Sequence, residues 1–396
     1  LNAAVIVTDV HALGMIAVLR SLGRGGYRVH GLSSTADALG FKSCFIYRCA
    51  VHPLYESPAF IPWLQNYLIT HNIEAIIPSE AFLHAIASNF SQFKKFITDA
   101  CDQPIWERSL SKVETWRFLS TRDDTRKHLP LSGVIADEAD INMLESPDKK
   151  TAIFYLKADA GHARGNADAR VVRILGIQEL QHTARQWLAD FHQLVWQCYV
   201  PGKKVGVSLW RHSDEFHAEN MVLGLHQFPH LGGMMSLRQT WWHEKLLEDA
   251  KIKMAALGLN GIAMMEYKWD PQTDDFWFIE INARYWGYLH LDLACGKDFP
   301  KWQMDAHFGH VHRHLGQPRQ PCVMRYTVPG DFSYLVSLWR DKEVPFRQKI
   351  YSICEFLWLS LDLRIGTDLW FAGDRALYLR GWLRFLQQIK SRITNG

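Results

Sequence analysis

The chain lacks most of the patterns that settle a protein's chemistry quickly. No G-x-G-x-x-G follows an apolar run, so a nicotinamide cofactor has no support, and no Gly-Lys-Ser/Thr closes a phosphate loop. Nineteen histidines are scattered along it, yet neither H-E-x-x-H nor C-x-x-C marks a zinc site. The seven cysteines are odd in number and irregularly spaced, which reads as reduced intracellular thiols and excludes a disulfide framework. Low-complexity tracts and repeats are absent, and no apolar run reaches the roughly 20 residues a membrane-spanning helix needs. A formal charge of +3 is too mild to argue for nucleic acid. Nothing at the start has the form of a signal peptide, because Ala3–Val7 runs straight into a turn and reads as a first strand. A cytoplasmic protein is the expectation.

What is present is substantial. The 396 residues exceed one core, so two or three domains are expected, and 48% hydrophobic content supports folded ones. The most informative stretch is Gly258–Pro300. Two apolar runs, Gly261–Tyr267 and Phe276–Ile281, flank "DPQTDD", which has the residues of a hairpin turn. Pairing across that turn brings Glu266 and Glu280 together, with Asn282 on the same face and Arg284 continuing that side. Like charges so placed are costly without a cation or shared proton. Mg²⁺, which prefers oxygen ligands, suits Glu266, Glu280 and Asn282, with Mn²⁺ as an alternative.

Glu266 followed by Glu280-Ile-Asn282-Ala-Arg284 resembles the metal-binding signature of the ATP-grasp superfamily, specifically its carboxylate-amine ligases. The resemblance implies an α/β chain with α+β lobes: a doubly wound parallel-sheet pre-ATP-grasp domain over 1–108, a small lobe over 109–200, a large lobe over 201–315 and an extension over 316–396. In the first domain, strands at 4–8, 28–32 and 44–48 and the strand in "EAIIPSE" alternate with helices at 11–23, 59–71 and 82–97, an order that predicts a parallel sheet. Asp9, Ser79 and Glu80 sit where relatives face the acceptor substrate. Capping of the following helices explains them equally well.

In the nucleotide half, the strand "TAIFYLK" ends in Lys157 and runs into a loop holding Gly161 and Gly165, able to bend around an anion. The resemblance makes Lys157 and Lys112 phosphate contacts, although Lys112 alone reads as a surface residue in the first turn of a helix that Ser109 or Ser111 opens and that runs to Ser120. His162 and Arg164 add phosphate contacts or are simply solvated. The segment 194–202 resembles the hinge whose backbone binds adenine, carried over to Gln197, Cys198, Tyr199 and Val200. Cys198 stands where an acid is common, and Lys203-Lys204 depart from the usual acid after the glycine. Past antiparallel strands at 205–210 and 216–225, the segment 226–242 resembles a loop crossing the active site. That makes His226, Gly232, Gly233 and Arg238 candidates for phosphate or acceptor contacts, with a plain connection as the alternative for His226.

In the last third, Leu379, Trp382, Leu383, Leu386, Ile389 and Ile393 recur at helical spacing, with Arg380 and Arg384 on the other side. The expectation is a helix packed by its apolar stripe on the preceding domain, with peripheral contact of 376–393 with an anionic membrane as the second reading. The function implied is ATP-dependent ligation of a small-molecule or glycan carboxylate to an amine through an acylphosphate. Lys157, Arg238 and Arg284 would act on the transferring group, and a homodimer is compatible with the pattern. Phosphotransfer, thioester formation, nucleotide binding without catalysis and a membrane-surface accessory role are the alternatives.

Overall fold

The computed structural model describes residues 2–144, 152–164 and 169–394. In its first sheet, β1 (Ala4–Val7), β2 (Arg28–Ser33), β3 (Arg48–Val51) and β4 (Ile73–Ile77) run parallel in the order β3-β2-β1-β4. Alternate residues of β1 feed opposite cores. Val5 and Val7 join Met15, Val18 and Leu19 of the helix Leu13–Arg24, while Ala4 and Ile6 join Phe60, Leu64 and Tyr67 of the helix Phe60–Thr70. That is the doubly wound arrangement. The strand expected at 44–48 forms four residues later, because Asp374 accepts hydrogen bonds from Ser43 Oγ (2.6 Å) and Cys44 N (3.2 Å) and holds that segment as a turn. The single helix expected at 82–97 breaks after Ile86 into short turns, which let Phe90, Phe93 and Ile97 all reach the core that Phe82 lines.

The second sheet is antiparallel, with β5 (Ser132–Ile135), β6 (Ile153–Ala158), β7 (Arg170–Leu175) and β8 (Leu194–Cys198) in the order β5-β8-β6-β7. Its core, including Phe154, Leu156, Ile174, Leu180 and Phe191, is its own. The third sheet has β9 (Lys203–His212), β10 (Glu215–Phe228), β11 (Met234–Thr240), β12 (Gly261–Trp269), β13 (Phe276–Asn282), β14 (Val323–Arg325) and β15 (Gly366–Thr367), ordered β13-β12-β9-β10-β11-β14-β15. One face packs the helix Glu244–Ala256 through Leu246, Ala250 and Met254. The other face shares a core with the first domain: Trp210, Val222 and Trp286 cluster with Val5, Val7 and Leu19. At Gly14 any Cβ would meet the Trp286 backbone, so helix 13–24 lies directly against the chain that follows β13.

One expectation changes here. Much of 226–242 is strand β11 and not a crossing loop. The extension over 316–396 is built into the fold: β14 and β15 extend the large sheet, and three buried arginines fasten it. Arg20 bonds Asp374 (2.9 Å) and the carbonyls of Asp368 and Leu369; Arg238 pairs with Asp368; Arg325 pairs with Asp331 at 2.6 Å. The guanidinium's planar fork satisfies several acceptors at once, which is what makes such burial tolerable. All seven cysteines are free, and no described helix is long and apolar enough to cross a membrane. Removing one partner of a buried pair leaves an uncompensated charge, so Asp374→Ala should cost about 3–5 kcal/mol of stability. Urea unfolding followed by tryptophan fluorescence checks this; a loss below about 1 kcal/mol would show that Arg20 finds other acceptors.

Candidate active site

The β12–β13 register pairs Glu266 with Glu280 and Met264 with Asn282. β9 lies on the other side of β12, with Gly206 opposite Glu266. Strand alternation therefore puts Lys204 and Gly206 on the face that carries Glu266, Glu280 and Asn282. At Gly206 a Cβ would collide with the Tyr288 hydroxyl, so only glycine lets β9 pass beneath this cluster. Asn282 Nδ2 donates to Glu280 Oε1 (3.2 Å), and Arg284 Nη2 donates to Asn282 Oδ1 (3.0 Å). Arg284 Nε also pairs with Glu80 Oε2 at 2.8 Å, joining the first domain to the cluster.

Lysines approach the two carboxylates from three elements. Lys204 Nζ lies 2.7 Å from Glu266 Oε2 and donates to Gly233 O at 2.6 Å. Lys112 Nζ, in the first turn of the helix Lys112–Ser120, is 3.8 Å from Glu280 Oε2. Ser111 closes the preceding helix Gln103–Leu110 and caps the one that carries Lys112, so of the two openings expected for that helix, Ser109 and Ser111, it is Ser111 that caps it. Lys157, at the end of β6, donates to Gln197 Oε1 (2.9 Å) and is buried. Burial opposes ionisation of Glu280, but Lys112, Lys157 and Lys204 together outweigh it and hold its carboxyl down at about 2. For Glu266 burial wins over Lys204, and its pKa is raised; the two acids divide one electrostatic field between them. Burial likewise lowers the Lys157 ammonium, whereas Lys112, despite its own desolvation, is raised by Glu280, Asp159 and Glu80.

A cavity of about 470 Å³ opens beside this cluster, between the two lobes. Lys157, Gln197 to Val200, Glu266 and Glu280 line it, and so do Gly232 and Gly233. Gly233 has φ +97°, and a Cβ there would strike Phe228 O, so glycine is what aims its carbonyl at Lys204. Gly161 stands in a short turn after Lys157 with open space where a Cβ would be. Gly165 lies outside the described residues. His162 faces Ser111 Oγ (3.3 Å), and Arg164 donates to the carbonyls of Leu188 and Phe191, away from the cluster. Burial raises the Cys198 thiol, as suits a lining residue and not a nucleophile.

Two candidates are drawn away from both the cavity and the acidic cluster. Arg238 is fully buried against Asp368, so β11 spends it on fastening the last segment of the chain. His226 donates toward Asp331 (2.8 Å) and stacks on Tyr334 at 4.2 Å, also within that fastening. Ser79 caps the helix Glu80–Ile86 and bonds Asp9, which also accepts from Tyr55 (2.9 Å) at the carboxyl ends of β1 and β4. Lys204 was the residue sequence reasoning undervalued. The signal was there in Lys204-x-Gly206-x-Ser208, an alternation whose small members leave one face open.

Among the described residues no three His, Cys, Asp or Glu side chains converge on one point. The donor set is instead two opposed carboxylates and an amide oxygen, hard oxygen ligands of the kind Mg²⁺ takes. An antiparallel small lobe, a hinge strand and a large sheet bearing Glu-x-Asn-x-Arg beyond a parallel-sheet domain decide the architecture. The chain has the ATP-grasp fold. Among solved structures it is similar to an L-amino acid ligase from Bacillus licheniformis (TM-score 0.61, 16% identity, covering 81% of this chain and 78% of that one). It is also similar to N5-carboxyaminoimidazole synthetase from Staphylococcus aureus (TM-score 0.62, 12% identity, 83% of each chain). A third is the biotin carboxylase domain of Hydrogenobacter thermophilus 2-oxoglutarate carboxylase, solved with MgADP, ADP and bicarbonate (TM-score 0.60, 15% identity, 81% of this chain and 73% of that one). No protein-family model matches the sequence, and no curated protein does.

The electrostatics of this ATP-grasp cluster carry a pH signature. A carboxyl held below its unfolded value, near 4.3 for Glu, adds stability that is fully present above that value and lost as pH falls towards about 2. The stability difference between wild type and Glu280→Gln should therefore stay constant from about pH 5 to 7 and shrink below about pH 4. Urea unfolding across that range measures it, and a difference unchanged down to about pH 3 would remove the three lysines as the cause.

Proposed function

We propose that the chain is an ATP-dependent ligase that activates a carboxylate as an acylphosphate and joins it to an amine. The observation that carries this reading is the convergence of Lys112, Lys157 and Lys204 on two opposed carboxylates at the edge of the interlobe cavity. The ATP-grasp fold adds the prior that such a cavity takes a nucleotide, and the domain solved with MgADP is one instance.

The donor set fits a magnesium ion held by Glu266, Glu280 and Asn282. When bound, that ion would supply positive charge to the triphosphate. Backbone groups of Gln197 to Val200 would meet the adenine edge, since they line the cavity at the hinge. Lys157 and Lys112 would bind phosphate oxygens, and Lys204 would take over from Glu266 a partner among those oxygens. Phosphoryl transfer is governed by positioning and charge stabilisation. In the first step a carboxylate oxygen bonds to the γ-phosphorus, the bridging P–O bond breaks and ADP leaves. In the second an amine nitrogen bonds to the acyl carbon, the C–O bond to phosphate breaks and nitrogen gives up a proton. Arg284, tied to both Asn282 and Glu80, stands where the first domain meets the cluster and would steady the oxyanion formed there. Asp9, Ser79 and Glu80, on the loops following β1 and β4, would face the acceptor.

The test is an ADP-release screen across paired carboxylates and amines, with mass spectrometry of any product. A new amide with stoichiometric ADP supports the proposal. A phosphorylated or thioester product, or ATP binding with no ADP release across the panel, overturns it in favour of the corresponding alternative. With an active pair in hand, Glu280→Gln should reduce turnover at least about a hundredfold while circular dichroism stays unchanged. Lys157→Ala should raise the apparent KM for ATP; unchanged ATP affinity and turnover would remove it from the site.

A further inference from the structure

The helix Ala376–Thr394 leaves most of the stripe the sequence predicts uncovered. It meets the protein through Leu377, which is fully buried, through Phe385, whose ring lies 5.4 Å from that of Phe332, and through two arginines: Arg380 Nη1 donates to Lys42 O at 3.0 Å, and Arg384 Nη2 meets Asp37 at 3.1 Å. Leu379, Leu383 and Leu386, spaced i, i+4, i+7, are more than half exposed. The neighbouring helix Phe346–Leu361 repeats the pattern. Phe346, Ile350, Leu357 and Leu361 form one exposed stripe, and Tyr351 and Trp358 flank it. The apolar surface continues past Leu363, 98% exposed, and Trp370 into a cleft of about 860 Å³ lined by Phe356, Leu359, Phe371 and Trp382. Single exposed apolar residues are ordinary in a folded protein, but helical stripes running into an apolar cleft are not.

The charge around these stripes selects the occupant. Residues 332–396 carry ten Lys or Arg and six Asp or Glu, and two of those acids, Asp368 and Asp374, are buried on Arg238 and Arg20. Arg347 and Arg375 are exposed on the same segments as these apolar side chains, with Arg375 over the Trp370 ring at 5.1 Å, while Arg364, also exposed, pairs with Asp362. A second copy of this chain would bring the same excess of positive charge against it. Apolar stripes edged with Trp, Tyr and basic residues match instead the boundary of an anionic bilayer, where rings sit at headgroup level and each Lys or Arg adds to attraction.

We propose that the surface formed by residues 346–370 and 376–386 docks on an anionic lipid membrane, lying in its interface without spanning it. The ATP site is on other elements, so this inference stands apart from the ligase reading. Vesicle flotation of the full chain tests it. Vesicles of phosphatidylcholine with about 30% phosphatidylglycerol should bind at least about tenfold more chain than phosphatidylcholine alone, and raising the salt to about 0.5 M should lower that binding. Trp358→Glu with Leu361→Glu, and separately Leu383→Glu, should each abolish flotation while circular dichroism and thermal midpoint stay unchanged. Equal flotation on neutral and anionic vesicles, flotation that survives these substitutions, or no flotation of the folded wild type would overturn the proposal. So would a dimer in light scattering that the same substitutions dissociate. Should a variant lose its fold, the salt dependence of the wild type still decides.

Discussion

Two carboxylates directly opposite one another on neighbouring strands repel, and the rest of the structure is arranged so that this repulsion is useful. The β12–β13 register forces Glu266 and Glu280 together. Left alone in a site of low dielectric, they would share a proton. Three lysines keep the charge on Glu280, each from a different part of the chain: the helix that follows the first domain, the small lobe and β9. The cluster is therefore complete only when both lobes are in place. Its charge balance reports the relation between them.

The first domain and the large lobe behave as one body by construction. They share a hydrophobic core, a glycine admits close helix contact, and Arg284 reaches back to Glu80. The last segment is bound just as firmly, through two strands of the large sheet and three buried arginines. Two histidines extend this fastening toward the interlobe cavity. His226 stacks on Tyr334, and His230, in the turn that supplies Gly232 and Gly233 to the cavity wall, meets Ser337 of the helix Phe332–Arg340 and Asp341 just after it.

Local chemistry was legible in the sequence wherever one short segment carried it. The hairpin with Glu266, Glu280, Asn282 and Arg284 is defined by alternation and a turn, both readable from a dozen residues. Lys157 at a strand end and the strand within 194–202 that lines the cavity are of the same kind. Arg238 and His226 were misjudged because their partners, Asp368 and Asp331, lie about a hundred residues further on, and nothing local reports a long-range buried pair. The helix at 376–394 shows the same limit from the other side. Periodicity found its apolar stripe but pointed to the wrong face for packing, since Asp37 and the Lys42 carbonyl, at the opposite end of the chain, help set which side meets protein. Lys204 was visible and undervalued because it departs from the usual pattern at its position.

The small lobe keeps its hydrophobic cluster to itself, with no residue in common with the cores beneath it. A part so constructed can swing without being remade: its interior contacts travel with it. Moving it against the large sheet then costs the reorientation of one solid piece, and not the refolding of a sheet.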